Sequence, residues 1–444
     1  MSRNLHLGLD WGTSATKLVL RDYDAVGASH GLGYVLRAAA GGVRHPSLVA
    51  LEGGRLWFGE SAKKRVTTAQ HAWASLKADV AIHGRAASEA AGGLHLRDLS
   101  VLFLAHIISV AQRAARSLPG GQTANVGFKL GVPTAEMNSW GFSTEYLRIA
   151  RAAFHLACNE RTDPDGVAVG TAPKLLADAW AAVDAREARS RTTGEVIEAW
   201  LRAEAASEMI WPFNSPSIQP GLYTAVDVGA GTTNACFFMI HSGSRGALQD
   251  PKGALSFFGA ACSAPGLNDL LTAVLRGDAS PETLEKVRGN ENALLAKSAE
   301  LPTLASPVIE QYRGVWSKAK RQAWGSYPGY RHWDGLRLLV VGGGRKVDLV
   351  RQEFERRDPF GHIEGFKTVP DLGVPGDLRE LPVKPGIAGA PFRDDPTFLL
   401  TAYGLSFETD DLPEITLPAG VAPFRPAGRV RQFVGHDDMG YEKR

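Results

Sequence analysis

The chain contains the same local pattern twice, at positions almost half of its 444 residues apart. In each copy an apolar run leads to an aspartate, a turn rich in glycine and hydroxyl residues follows, and a second apolar run leads away; the copies occupy residues 5–20 and 223–240. Each copy predicts a β-hairpin with a carboxylate at the end of its first strand. Backbone N–H groups and hydroxyls in such a turn can surround a phosphate, while the carboxylate reaches the accompanying Mg²⁺.

A single copy is equally typical of an ordinary hairpin whose turn is rich in small residues. Two copies at this spacing favour two similar lobes that present their turns to one shared ligand. The aspartates concerned are Asp10 and Asp227. We therefore expect both carboxylates to line one cleft.

A third glycine cluster, residues 342–344 followed by Arg345, comes directly after the apolar run 336–341. An amphipathic run over residues 347–354 follows the cluster. Strand, triple glycine and helix in this order let a flat ligand or a phosphate approach the backbone closely. The alternative is a helix entry that is merely loosened by its glycines.

In this order, the three elements resemble the phosphate-one, phosphate-two and adenosine motifs of the ATPase superfamily that contains actin, the heat-shock chaperones and the sugar kinases. The resemblance covers most of residues 1–406 and is greatest to the nucleotide-binding domain of DnaK-type heat-shock chaperones. It implies an α/β fold of two ribonuclease-H-like lobes, the actin-like ATPase fold, around a central nucleotide cleft. The cofactors that it implies are ATP or ADP and Mg²⁺.

The resemblance also implies a role for each motif. Asp10 and Asp227 would hold a hydrated Mg²⁺. The residues implied to cradle the phosphates are Gly12, Thr13, Ser14 and Lys17 of the first copy, and Gly229, Ala230, Gly231, Thr232 and Thr233 of the second. The residues implied to line the adenosine are Gly342, Gly343, Gly344 and Arg345.

Lys77 and Glu204 are further candidates for catalysis. In the chaperone family, a lysine in the segment that corresponds to residues 75–77 reaches the γ-phosphate. There a compact ammonium can neutralise charge on the transferring phosphoryl group. Lys77 is the best match, and a solvated lysine is the alternative. Residues 201–207 resemble the Glu-Pro-Glu-Ala-Ala-Ser segment of atypical heat-shock-like ATPases, whose first glutamate helps to position the attacking water.

Arg202 stands where that first glutamate belongs, and Glu204 stands at the second glutamate. This departure from the family pattern leaves two interpretations open. In one, Glu204 positions the water from a shifted place. In the other, hydrolysis is weak and the protein mainly binds nucleotide.

The same resemblance divides the chain into parts. The expected parts are lobe I over residues 1–222, with an outer subdomain at about 40–116 and a helical insertion at about 159–200, lobe II over 223–406, with an outer subdomain at about 255–330, and a tail over 407–444. The insertion is either a partner-specific feature or solvated helix. The tail is shorter than a chaperone's peptide-binding domain, so we expect a switch that lacks one.

Composition argues against several other classes of protein. A net charge of +2 gives no general attraction to nucleic acid or to acidic membranes, and three distant cysteines favour a reducing compartment. The most apolar segment, residues 101–111, is too short to span a bilayer, and no apolar signal core precedes the first strand. The sequence lacks a P-loop, a nucleophile elbow and Cys/His spacing typical of zinc. We therefore expect a cytoplasmic protein.

These observations together favour an Mg-dependent ATP-binding protein with weak ATPase activity that acts as a conformational switch. Contacts from both turns to the γ-phosphate would hold the lobes closed, and loss of phosphate would release them to act on a protein partner. One alternative is an actin-like ATPase that forms filaments or a scaffold. Another is a sugar-type kinase, because residues 9–14 also resemble a sugar kinase opening, although no dedicated sugar-binding acid motif is evident.

Overall fold

The fold is mixed α/β, with several sheets and many helices. The computed structural model describes residues 3–25, 30–74, 76–77, 80, 89–91, 93–118, 125–133, 140–159, 166–193, 200–215, 218–241, 254–263, 266–275, 280–297, 301–326, 333, 335–356, 367–368, 373–382 and 389–417. The rest of the predicted tail, residues 418–444, lies outside the described residues, as do 160–165 and 194–199 of the predicted insertion.

The strands are named here in chain order. They are β1 (Asn4–Trp11), β2 (Ala15–Asp22), β3 (Leu32–Val35), β4 (His45–Pro46), β5 (Leu48–Glu52), β6 (Arg55–Phe58), β7 (His71–Ala74), β8 (Glu89–Ala91), β9 (Leu94–His95), β10 (Asn125–Val132), β11 (Val167–Ala168), β12 (Leu201–Ala203), β13 (Gly221–Val228), β14 (Thr233–Ile240), β15 (Ala254–Ser263), β16 (Arg337–Val341), β17 (Lys367–Thr368), β18 (Leu378–Glu380) and β19 (Glu414–Thr416).

The helices are named by their bounds. The α-helices are Gly59–Lys63, Leu96–Ser117, Trp140–Cys158, Ala172–Thr193, Glu204–Glu208, Ile210–Asn214, Leu267–Val274, Pro281–Val287, Glu291–Lys297, Leu301–Ser326, Asp348–Arg351 and Leu400–Leu405. Short 3₁₀ turns cover Gly343–Lys346, Pro396–Phe398 and Thr409–Asp411, and a π turn covers Gln352–Arg356.

The first sheet is built around the hairpin β1–β2. Its strand order is β12-β10-β1-β2-β3-β18, and β4 pairs with β2 beside that path. The strands β1, β2 and β3 are antiparallel, whereas β10 lies parallel to β1 and β12 parallel to β10. Seven of the eight residues of β1 are buried, because the sheet is covered on both faces.

The second sheet has the same plan, built around the hairpin β13–β14. Its strand order is β17-β16-β13-β14-β15-β19, with β13, β14 and β15 antiparallel. The strand β16 lies parallel to β13, β17 parallel to β16, and β19 parallel to β15. Both hairpins predicted from the repeated pattern are therefore present, and they occupy equivalent places in two sheets of matching order.

Helix Leu400–Leu405 packs where the two sheets meet. A Cβ atom on Gly8 of β1 would overlap the carbonyl oxygen of Ala402, so the helix backbone lies directly on the strand. Apolar residues of the helix also belong to a core that includes Tyr223 and Phe257 of the second sheet. The helix therefore belongs to both sheets.

Two segments expected in the second lobe also contribute to the first sheet. Strand β18 pairs in parallel with β3, and helix Leu400–Leu405 contacts β1, β2 and β10. In addition, β19 adds an edge strand to the second sheet within residues 407–444, the stretch expected to be a tail. A strand of three residues has too few positions for its alternation to be recognised in a sequence.

The spacing of apolar side chains over residues 98–116 predicts a helix with a wide apolar face, and helix Leu96–Ser117 confirms it. It is the one helix in the described part of the chain that is long and apolar enough to cross a membrane, and 72% of its most apolar window is buried inside the protein. Burial of this kind is typical of a core helix. Elsewhere, helix Ala172–Thr193 of the predicted insertion packs on helix Trp140–Cys158, where Arg148 forms ion pairs with Asp184 and Glu187.

We predict that Gly8→Ala lowers the free energy of unfolding by about 1–3 kcal/mol, because the added methyl group must displace the backbone of helix Leu400–Leu405. Gly170→Ala is the matched control, since a Cβ atom on the exposed Gly170 meets no atom within 4 Å. Urea unfolding of both variants measures the effect. Equal stability of the two variants would contradict this packing.

Candidate functional site

A cleft of about 580 Å³ lies where the turns of the two central hairpins meet. Asp10 and Asp227 both line it. The other predicted site residues that line it are Gly12, Thr13, Ser14, Lys17, Lys77, Glu204, Gly229, Ala230, Thr232, Gly342 and Gly343. The sequence patterns therefore converge on one cavity although they come from five separate segments.

The two turns contact each other directly at Gly231. A Cβ atom there would lie 2.6 Å from Cγ2 of Thr13, so only glycine allows this approach. Gly231 thus joins the turns instead of forming the cleft wall. Thr233 is fully buried at the start of β14, where it pairs with Val228, and it also does not line the cleft.

Each hairpin places a nitrogen donor opposite its aspartate. In the first, Lys17 pairs with Asp10 across the strands, and its Nζ donates to Oδ2 of Asp10 at 2.8 Å. In the second, Asn234 pairs with Asp227, and its Nδ2 donates to Oδ2 of Asp227 at 3.4 Å. Asn234 was not predicted, although it occupies the same place in the second copy as Lys17 does in the first.

Hydrogen bonds to carbonyl oxygens fix both turns. The Ser47 hydroxyl donates to the Gly12 carbonyl at 2.7 Å, which anchors the first turn to the neighbouring segment. In the second turn, the N–H groups of Leu267 and Asn268 donate to the carbonyls of Gly229 and Ala230 at 2.8 and 2.7 Å. The turns are therefore held in place before any ligand arrives, which lowers the cost of binding.

Lys77 and Glu204 form an ion pair in the cleft, with side chains about one-tenth exposed. Burial lowers the pKa of Lys77, but the carboxylates of Glu204 and Asp10 outweigh this effect and raise that pKa. Burial also disfavours the charged form of Glu204, which raises the pKa of that carboxyl group, and Lys77 opposes this effect. Each charge of the pair is therefore stabilised chiefly by the other.

Arg202, which replaces the expected first glutamate, does not line the cleft. Its guanidinium donates to the carbonyls of Gly404 and Phe407 at 3.0 and 3.1 Å, at the carboxyl end of helix Leu400–Leu405. Positive charge at that end of a helix is favourable. Of the two residues considered in this segment, Glu204 is therefore the one that faces the cleft.

Glu208 is an additional carboxyl group that the sequence analysis missed. It lies one helical turn after Glu204, lines the cleft, and accepts a hydrogen bond from the Thr401 hydroxyl at 3.0 Å. Burial, with Asp227 and Glu204 nearby, raises its pKa well above the ordinary value. The four-residue spacing from Glu204 was the available sequence signal, because it places both side chains on one helix face.

Acidic and basic side chains line the cleft in equal number. The acidic ones are Asp10, Glu204, Glu208, Asp227 and Glu291, and the basic ones are Lys17, Arg44, Lys77, Arg288 and Lys346. Burial and the Glu204 carboxylate raise the pKa of Asp227 to about 6. Carboxylates that raise one another's pKa in a buried site favour the entry of a cation.

The residues present fit a hydrated magnesium ion. Among the described residues, no group of three or more His, Cys, Asp or Glu side chains is arranged to hold a metal directly. Oδ1 of Asn234 is buried without a hydrogen-bond partner, and Nδ2 of the same side chain donates to Asp227. Oxygen donors with water between protein and ion are typical of Mg²⁺ sites.

The third glycine cluster contributes only part of its length to the cleft. Gly342 has a φ of +75°, and a Cβ atom there would overlap Oδ1 of Asp227, so glycine is required. Gly344 is buried against Val228, and neither Gly344 nor Arg345 lines the cleft. The neighbouring Lys346 does line it.

The outer wall of the cleft is formed by residues 288–293, which the sequence analysis did not single out. The Asn292 amide donates to the Lys346 carbonyl and accepts from the Asp348 N–H, each at 2.8 Å. This pair of bonds fastens the outer wall to the third glycine cluster. The segment carries no local motif, so its place in the cleft depends on the tertiary fold.

No protein-family model matches this sequence, and no curated protein matches it. Its function must therefore be inferred from the residues of the cleft.

We predict that Lys77→Met lowers the free energy of unfolding by about 3 kcal/mol at pH 7, because it leaves the Glu204 charge buried without its partner. The loss should shrink as the pH falls, since a proton on Glu204 removes that charge. Glu204→Gln in the same chain should restore much of the stability.

Denaturant unfolding measures these changes. Lys63→Met is the control, because the Lys63 side chain is 43% exposed in its ion pair with Glu285 at 3.0 Å, so its charge is well solvated. A loss for Lys77→Met no greater than for Lys63→Met would show that the buried pair does not contribute in this way.

Proposed function

We propose that the protein binds Mg·ATP in this cleft and hydrolyses it slowly, as a nucleotide-driven conformational switch of the heat-shock-chaperone type. One observation carries the proposal. Asp10 and Asp227 occupy equivalent positions in two hairpins of two sheets with the same strand order, and both line one cleft. Such a pair of acidic turns suits a ligand that has a metal ion and a chain of phosphates.

The matching strand order also supports the proposed architecture. Each sheet has three antiparallel strands, two further strands parallel to the first, and an edge strand parallel to the third. We assign the two sheets to two ribonuclease-H-like lobes of the actin-like ATPase fold. The contact of Gly231 with Thr13 joins these lobes at the turns.

Magnesium would be held through water by Asp10 and Asp227, with the Asn234 carboxamide oxygen as a further acceptor for a bound water. When bound, Mg²⁺ supplies charge neutralisation for the phosphates. Lys17 lies in the cleft, where its ammonium is paired with Asp10. When a nucleotide binds, the ammonium could leave the Asp10 carboxylate and contact phosphate oxygens. Hydroxyl and N–H groups of Thr13, Ser14 and Thr232 would supply further donors.

Hydrolysis would use Lys77 and Glu204, which are already paired in the cleft. A water would attack the γ-phosphorus while the bond to the bridging oxygen of ADP breaks. Glu204 would orient the water by accepting its hydrogen bond, and the water's proton would pass to the released phosphate. Lys77 would neutralise the charge on the transferring group. We propose that hydrolysis is slow for two reasons. Glu204 is already paired with Lys77, and Arg202 stands where the heat-shock-like ATPases have the first glutamate of this segment.

The switch itself would be the relative position of the two sheets. Lys63 and Glu285 form an ion pair at 3.0 Å between helix Gly59–Lys63 on the side of the first sheet and helix Pro281–Val287 on the side of the second. Loss of the γ-phosphate would remove the ligand that both turns share and so weaken closure. We propose that a protein partner in the cytoplasm responds to this change.

We predict that Asp10→Asn and Asp227→Asn each weaken Mg·ATP binding at least tenfold, because each removes a carboxylate that holds the hydrated ion. With EDTA present, the wild-type protein and both variants should bind ATP equally weakly. Asp184→Asn, on an exposed aspartate of helix Ala172–Thr193, is the matched control. Calorimetric titration measures the affinities.

Unchanged affinity for Mg·ATP in both cleft variants would contradict the proposed site. Failure of the wild-type protein to bind Mg·ATP would contradict the proposed function as a whole.

A further inference from the structure

Phe398 is a half-buried aromatic residue in the wall of the nucleotide cleft. It ends the short turn Pro396–Phe398, directly before the helix that joins the two sheets. Its ring lies against the third glycine cluster, where a Cβ atom on Gly343 would be 3.4 Å from Cε1 of the ring. A flat apolar surface is thus present where the backbone has no side chain to cover it.

Two cations flank this ring. The Lys346 ammonium lies 4.3 Å from the ring centroid, and the Arg44 guanidinium carbon lies 5.0 Å from it. Both side chains are exposed and both line the cleft. The three residues come from distant parts of the chain, so their convergence is a product of the fold.

Asp395 keeps this arrangement in place. Its carboxylate accepts a hydrogen bond from the Thr397 N–H at 2.8 Å, which fixes the turn that carries Phe398. It also pairs with the Lys346 ammonium at 3.0 Å, which holds that cation beside the ring. Hydrogen bonds from Thr397 and the nearby Lys346 lower the pKa of Asp395 against the opposing effect of burial.

A planar ring with two cations nearby suits a nucleobase attached to phosphates. Bases stack on aromatic rings and on guanidinium groups, and such stacking tolerates any base because every base has a π face. Base identity is read instead through hydrogen bonds to the base edge. In the adjoining wall, the Asn292 amide is committed to the main chain of Lys346 and Asp348.

We propose that Phe398, with Arg44 and Lys346, forms the base-binding platform of this cleft and that it selects nucleotides by stacking. The ligand class is therefore nucleoside triphosphates in general, with ATP and GTP bound at similar strength. This inference rests on the proposed function, because it concerns the same cleft. It places the base against the ring of Phe398, which lies outside the three glycine-rich motifs.

The test is a competition titration of the full chain with Mg²⁺, in which a fluorescent ATP analogue is displaced by ATP, GTP or inorganic tripolyphosphate. For the wild-type protein, the affinities for ATP and GTP should differ by less than about tenfold. Phe398→Ala should weaken both by about 10–100-fold, the range that the loss of one stacked base gives. It should leave tripolyphosphate binding unchanged, because the phosphate turns are intact.

Phe398→Tyr should bind both nucleotides as the wild type does, since it keeps the ring. Trp57→Ala is the matched control: Trp57 is an aromatic residue under the Arg65 guanidinium, at 3.7 Å, that does not line the cleft. It should leave all three affinities unchanged.

Wild-type affinity of Phe398→Ala for ATP and GTP would overturn the platform and leave the proposed function standing. A preference for ATP over GTP above about 100-fold would overturn selection by stacking. If neither nucleotide nor tripolyphosphate displaces the probe, the proposed function fails, and the platform fails with it.

Discussion

The meeting of the two hairpin turns is the constraint on which the cleft depends. Thr13 and Gly231 touch because the second turn has no side chain at that point. Two carboxylates, Asp10 and Asp227, are thereby brought into one cavity from opposite halves of the chain. Placing buried acidic groups together costs free energy, which Lys17 and Lys77 offset in part through their ion pairs with Asp10 and Glu204, and which the proposed Mg²⁺ would offset further.

A second set of contacts, around the fully buried Arg21 of β2, holds residues 377–407 against the first sheet. Its guanidinium donates to the Asp377 carboxylate at 2.8 Å and lies 3.5 Å from the ring centroid of Phe407. The Tyr403 hydroxyl donates to the other oxygen of Asp377 at 2.9 Å. These bonds tie residues 377–407 to the first sheet and hold helix Leu400–Leu405 in its place.

Local features, which depend on a few consecutive residues, could be predicted from the sequence. The hairpins that carry Asp10 and Asp227 follow from apolar alternation and turn residues, and helix Leu96–Ser117 follows from its spacing of apolar side chains. Which segments meet could be predicted only where a repeated or family motif marked them, as at Asp10 and Asp227. Phe398 has no motif around it and becomes a cleft residue only through tertiary contacts.

The most direct test of the central claim is a crystal structure of the full chain with Mg²⁺ and a non-hydrolysable ATP analogue. The account predicts a triphosphate between the two turns, with a carboxylate oxygen of Asp10 and one of Asp227 within about 4 Å of the ion, the distance that one bridging water gives. Nucleotide bound outside this cleft, or an ion associated with only one of the two aspartates, would contradict it.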